Sequence, residues 1–254
     1  MSNSMSVWEA NLQADAAAMG VVVSDAALQQ MRQYLEQLHR WNRTYNLTAV
    51  RDFEEMRVQH LLDSLSILPV LEREAARWAA SATGSEQAAG ATGSIRILDV
   101  GSGGGLPGVV IAIQKPDWQV TCVDAVAKKT AFIQQMAGVL RLPGLAARHA
   151  RIEQLPPQGS HLIVSRAFAS LTDFVQLVKQ HLAPGGRLLA MKGRYPDDEL
   201  ADLARVAPDW RVESSETLEV AGLDAQRCVL VLAPASTDSA VDNTVASPDS
   251  SDRN

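Results

Sequence analysis

Apolar positions along the chain change their period near residue 95. Upstream, Leu28, Met31, Leu35, Leu38 and Trp41 follow a Ser24 or Asp25 cap at spacings of three or four, with charged residues between them. That is the stripe of an amphipathic helix. A second helical stretch is predicted from about Glu54 to Leu68, with Met56, His60, Leu61, Ser64 and Leu65 near one face. Downstream, strand-like and helix-like runs alternate. Strands are predicted near 95–100, 118–123, 145–149, 161–165 and 186–192, and helices near 107–114, 127–141, 171–182 and 196–206. Two further strands, near 210–219 and 227–233, have no helix between them and are expected to pair antiparallel. Five alternating units closed by a hairpin predict an α/β fold, a doubly wound Rossmann-like sheet with one antiparallel strand.

Composition sets the boundaries. Residues 79–94 are rich in Ala, Gly, Ser and Thr and read as a flexible linker between an N-terminal helical subdomain, 1–78, and the sheet domain, 95–234. Residues 235–254 form a polar, low-complexity tail that is expected to be disordered. Four aspartates against one arginine give this tail three of the six net negative charges, so the acidic balance does not exclude basic patches on the folded part. Cys122 and Cys228 lie in apolar strand-like runs and read as buried thiols. The five histidines lack metal-ligand spacing, no apolar run reaches transmembrane length, and MSNSMSVWEA is not a signal pattern. A cytoplasmic monomer without metal or membrane contact is expected.

The chemistry centres on Ile95–Val110, IRILDVGSGGGLPGVV. Strand, glycine loop and helix in succession offer backbone N–H groups to a nucleotide-like ligand. Asp99 stands two residues before the first glycine, Gly101, at the strand tip. A carboxylate there can bind an ammonium group, which suits the amino acid end of S-adenosylmethionine better than a pyrophosphate. Gly103, Gly105 and Gly108 also spell G-x-G-x-x-G, with Asp124 at a dinucleotide-like distance, but the acid before Gly101 and Pro107 within the turn fit that reading poorly. Glycines serving only a tight turn are the bland alternative.

Ligands of such sheets sit beyond the carboxyl ends of the strands. Gly101, Gly103 and Gly105 would let the ligand approach the backbone, and Asp124 would accept hydrogen bonds from the ribose hydroxyls or serve as a helix cap. Ile152 and Glu153 follow the third strand, where they can flank an adenine. Arg166 follows the fourth, where methyl donor and acceptor must meet. The fourth strand continues Ser165-Arg166-Ala167-Phe168, without the Asn or Asp, two prolines and aromatic usual in methylation of exocyclic amines. Both cysteines lie in strands, which disfavours the cysteine nucleophile of pyrimidine carbon-5 methylation. An unprotonated ring nitrogen such as guanine N7 needs neither, since its lone pair is free and positioning supplies most of the catalysis.

Taken together, Trp41-Asn42 with Tyr45-Asn46-Leu47-Thr48, His60 with Asp63-Ser64, ILDVGSGGGLPGVV, Asp124, Arg151-Ile152-Glu153, Ser165 to Leu171 and Lys192-Gly193 make the chain resemble the bacterial small-subunit rRNA guanine-N7 methyltransferases, the RsmG (GidB) family. The resemblance runs from about Leu28 to Val231. It implies a class I S-adenosylmethionine-dependent methyltransferase that methylates N7 of one guanine in 16S rRNA of the small ribosomal subunit. It also maps cofactor contacts onto Gly101, Leu106, Asp124, Ile152, Glu153 and Arg166. The long linker, the tail and a slightly extended N-terminus depart from the family pattern without touching these motifs.

Trp41, Tyr45, Asn46 and Arg51 combine aromatic faces with amide and guanidinium groups near a helix end, as readers of single-stranded RNA do. Alternatively, Trp41 and Tyr45 pack the helical subdomain while Asn46 caps the helix. His60 and Asp63 share a helix face and could form a pair. Lys192, with Lys128, Lys129, Arg148, Arg151 and Arg194, is a candidate for phosphate contacts. An NAD(P)-dependent oxidoreductase and a noncatalytic rRNA-binding factor remain as readings of other classes.

Overall fold

The computed structural model describes residues 6–82, 94–166, 168 and 170–235. The predicted tail beyond Ala235 and most of the predicted linker lie outside the described residues. Strands β1 (Arg96–Val100), β2 (Gln119–Asp124), β3 (Leu145–His149), β4 (Ser160–Ser165), β5 (Leu182–Lys192), β6 (Trp210–Thr217) and β7 (Cys228–Pro234) form one sheet in the order β3-β2-β1-β4-β5-β7-β6. The first five run parallel, and β7 pairs antiparallel with both β5 and β6. The predicted reversed strand is therefore β7, inserted between β5 and its hairpin partner.

Strand alternation divides the core into two layers. Ile97, Val120, Leu162, Val164 and Val229 face helices α1 (Val7–Ala18), α2 (Asp25–Tyr45), α5 (Leu68–Ala82), α6 (Gly108–Gln114) and α7 (Ala127–Val139). Leu98, Val123, Ile163 and Leu230 face α8 (Leu171–Val178) and α9 (Asp197–Val206). In α2 the stripe Leu28, Met31, Leu35 and Leu38 is fully buried, and Ser24 caps the helix by accepting the Ala27 N–H at 3.2 Å. No helix among the described residues is long and apolar enough to cross a membrane.

Three departures from the expected elements have physical causes. The stretch near 54–68 is not a uniform α-helix: α3 (Phe53–Met56) passes through a π-helical turn, Arg57–Leu62, into α4 (Asp63–Leu65). Such a turn leaves little trace in apolar spacing, and such turns gather at functional sites. Helix α5 runs through Ala82 into the predicted linker, because Ala79, Ala80 and Ala82 are strong helix formers that composition alone reads as linker. The predicted helix at 171–182 ends at Val178, and β5 starts at Leu182 despite Pro184-Gly185-Gly186. Those residues accompany a register shift against β4, where a Cβ on Gly186 would meet the His161 carbonyl oxygen at 2.6 Å.

Candidate active site

The glycine loop is fixed from below and from above. Its amides at Gly101 and Ser102 donate to the Val123 carbonyl at 2.9 and 3.2 Å, which ties the loop to the end of β2. Asp124, just after Val123, accepts the Gly103 N–H on Oδ2 at 2.9 Å and the Val126 N–H on Oδ1 at 2.8 Å. Gly101, Gly103 and Gly105 all have left-handed φ, at 72°, 58° and 97°. At Gly105 a Cβ would stand 2.4 Å from Val109 Cγ2, whereas at Gly103 it would meet nothing within 4 Å. Above the loop, buried Tyr34 of α2 donates its hydroxyl to the Gly104 carbonyl at 2.8 Å.

Asp99 lies beneath the loop, 1% exposed, and is not part of the crevice wall. Its Oδ2 accepts the Gly108 N–H at 2.8 Å and so anchors the start of α6. Its Oδ1 is buried and has no partner among the described residues. Burial pushes this carboxyl up to about 7, against the opposing pull of the Gly108 N–H and of Arg166. Leu106, also expected at the site, is 5% exposed and packs into the core beside α6.

Beside the loop, beyond the carboxyl ends of β1, β2 and β3, lies a cavity of about 230 Å³. Val100, Val123, Ile152 and Phe168 form apolar walls, while Asp124 and Glu153 supply the carboxylates. Four of the expected residues, Gly101, Asp124, Ile152 and Glu153, thus meet in one crevice.

Arg166 lines two adjoining cavities farther along the strand tips, of about 350 and 850 Å³. Its Nη1 donates to Asp63 Oδ2 at 2.6 Å and to the Gln59 carbonyl, inside the π-helical turn, at 3.3 Å. The other oxygen of Asp63 accepts Arg227 Nε at 2.7 Å. Asp63 is fully buried, so one carboxylate serves two guanidiniums. His60 is not its partner: His60 Nε2 lies 2.9 Å from Thr48 Oγ1, and burial pushes the imidazole down to about 4, leaving it neutral at pH 7. Sequence reasoning missed Arg227, yet a topological signal exists. In an antiparallel β7 the first residue sits beside the carboxyl end of β5, where Cys228 pairs with Lys192.

The expected RNA-facing residues divide. Trp41 is half-buried against Phe132 and Tyr45, with ring centroids 5.4 and 5.1 Å away, so it packs the subdomain. Tyr45 is 42% exposed. Asn46 ends α2 in the left-handed region and accepts Arg51 Nη2 at 2.7 Å, and Arg51 Nη1 also donates to the Asn42 carbonyl at 3.3 Å. Lys192 reaches the rim of both larger cavities but is ion-paired with Glu199 at 2.9 Å.

The family profile described as "GidB: rRNA small subunit methyltransferase G" matches residues 27–229. A "Ribosomal RNA small subunit methyltransferase G" from Bordetella pertussis is 54% identical over 208 residues, covering 82% of this chain and 85% of the relative. A protein of the same name from Leptothrix cholodnii is 48% identical over 225 residues, covering 89% of this chain and 95% of the relative. The matched span contains the crevice, Asp63 and both of its arginines. The chain belongs to the rRNA small subunit methyltransferase G family.

Proposed function

We infer that the protein transfers a methyl group from S-adenosylmethionine to N7 of a guanine in 16S rRNA of the small ribosomal subunit. The observation that carries this reading is the family match over residues 27–229, which spans every residue lining the crevice. The crevice fits the donor. Its apolar walls at Val100, Val123 and Ile152 suit a purine. Asp124 already accepts two backbone N–H groups and, at 3.5 Å, Lys129 Nζ, but a carboxylate has about four acceptor positions, so capacity remains for a ribose hydroxyl. Gly103 leaves open the side of the loop where a Cβ would otherwise stand. Glu153, exposed at the rim, is a further acceptor.

When bound, S-adenosylmethionine supplies a methyl group activated by its sulfonium. Guanine N7 needs no proton removed before it attacks, and the positive charge of the sulfonium passes to the methylated base, so the protein's task is to position the two reactants. Arg166 serves that positioning. Its Nη1 is committed to Asp63 and Gln59, while Nε and Nη2 have no partner among the described residues and are left for the substrate. A neutral His60 held by Thr48 is not required as a base. Such a substrate lies in the bacterial cytoplasm.

The test is transfer of labelled methyl from S-adenosylmethionine to unmodified small subunits and, separately, to their stripped rRNA. Chemical scission at N7-methylguanine then locates the product. Label at one scission-sensitive guanine is expected; absence of transfer to both substrates, with the donor bound, would overturn the reading.

A further inference from the structure

The 350 Å³ cavity beside Arg166 has an unusual charge balance. Three cations, Arg166, Lys192 and Arg227, line it, and among the described residues the only carboxylate in its wall is Asp63. Lys192 is neutralised by Glu199, which leaves two guanidiniums sharing one buried carboxylate. The pair therefore carries one uncompensated positive charge. Asp63 takes one edge of each arginine, Nη1 of Arg166 at 2.6 Å and Nε of Arg227 at 2.7 Å. Arg227 Nη1 donates to its neighbouring Gln226 carbonyl at 2.9 Å, and its Nη2 has no partner among the described residues. Three N–H-bearing nitrogens, Nε and Nη2 of Arg166 and Nη2 of Arg227, remain for a ligand. Two guanidiniums held in place by a shared carboxylate and offering several N–H groups suit the multiple acceptor oxygens of an oxyanion.

We propose that Asp63 organises Arg166 and Arg227 into a clamp for an oxyanion, and that this oxyanion is a phosphate of the RNA strand beside the target guanine. The proposal rests on the rRNA methyl-transfer reading above. An oxyanion could also come from the carboxylate of S-adenosylmethionine. Placement favours the phosphate: Arg227 lines the two larger cavities but not the crevice beside the glycine loop. In this arrangement Asp63 is a positioning residue, and Arg227 joins the substrate-binding machinery.

The experiment compares wild type with Arg227→Ala and Arg227→Gln. The glutamine keeps a donor for Asp63 and most of the packing, and so carries the test should the alanine variant fail to fold. KM for unmodified small subunits, the salt dependence of rRNA binding and the Kd for S-adenosylmethionine are measured in parallel. Loss of a charge-assisted contact should raise the KM for small subunits about 10- to 100-fold. It should also lower the slope of log affinity against log salt by about 0.7 to 1, the equivalent of one phosphate. The Kd for S-adenosylmethionine should stay at the wild-type value. A raised Kd for S-adenosylmethionine with unchanged RNA binding would overturn the phosphate assignment in favour of the donor carboxylate, and no change in either would overturn the clamp. If wild type itself transfers no methyl group, the underlying reading fails; if wild type transfers and the variants match it, only the clamp fails.

Discussion

Arg166 and Asp99 show how differently two charged residues near one loop can be employed. Arg166 is a quarter exposed on its side chain, faces two cavities and is held by Asp63. Arg166→Ala should therefore lower the methyl-transfer rate about 100-fold or more, the loss typical of misplacing a reactant by about an ångström, while a thermal melt stays close to wild type. A near-normal rate would remove Arg166 from the reacting centre. Asp99 is buried, and its carboxyl sits at about 7 instead of 3.8. Between those values the native state keeps a proton that the unfolded chain has released, so this group's contribution to stability falls as pH rises through the window. Asp99→Asn keeps an acceptor for the Gly108 N–H but has no such proton. Its melting temperature relative to wild type should therefore shift in its favour between about pH 4 and pH 7, and a constant difference would show that Asp99 titrates normally. The strand-tip rule located Asp124, Ile152, Glu153 and Arg166 from sequence. It could not separate Asp99, which points under the loop, from Asp124, which lines the crevice, because both fall on the same face of the sheet and differ only in depth: Asp99 is level with Cys122, two residues short of Asp124. Nor could spacing reveal that Asp63 would prefer two arginines just outside distant strands, Arg166 after β4 and Arg227 before β7, to His60, three residues away.

At the scale of elements, period was a sound guide wherever burial was regular. Strands β1, β4 and β7 were legible as short continuous apolar runs, because each is covered on both faces. Element ends were less legible, since Ala-rich sequence suits both a linker and the last turn of α5, and a π-helical turn changes the rise without changing residue types. The glycine loop separates two kinds of necessity. Gly105 needs a left-handed φ and also has no room for a Cβ, which would stand 2.4 Å from Val109 Cγ2. Gly103 needs the same kind of φ but has open space around it. Gly105→Ala should therefore destabilise the protein by about 2–4 kcal/mol, since overpacking adds to backbone strain. Gly103→Ala should cost only about 1 kcal/mol but weaken S-adenosylmethionine binding, because its methyl would occupy the open side of the loop. Denaturant melts and titration calorimetry on both variants test the contrast. Equal stability loss in the two, with unchanged binding in Gly103→Ala, would show that the loop's open side is not the cofactor's approach.

For the whole molecule, the net charge of −6 conceals an uneven distribution. Uncompensated arginines gather at the strand tips, whereas at the far edge of the sheet arginines and glutamates are matched into a network. There Glu213 of β6 receives Arg187 Nε from β5 at 2.7 Å, Arg77 Nη1 from α5 at 2.9 Å and Arg211 Nη2 from its own strand at 3.1 Å. Arg73 of α5 pairs with Glu216, and buried Glu74 sits between Arg73 and Arg77 at 3.5 and 3.7 Å. These contacts dock the N-terminal helices onto strands more than 100 residues later, and they are partly shielded, with Glu213 only 11% exposed on its side chain. Burial alone would raise the Glu213 carboxyl, but the Arg187 hydrogen bond, with the charges of Arg187, Arg77 and Arg211, brings it below its ordinary 4.5. A carboxyl lowered on folding adds stability above its unfolded value and loses it as pH falls through its folded value. Glu213→Gln should thus cost about 2 kcal/mol at pH 7, or roughly 4–8 °C in melting temperature for a chain of this size. The deficit should shrink below about pH 4.5, where wild type begins to lose the same charge, and should narrow in high salt because Arg77 and Arg211 are half exposed. Melts of the two proteins across that pH range decide the matter. Equal melting temperatures at pH 7 would mean that the apolar face of α5 docks the subdomain without help from the ion pairs.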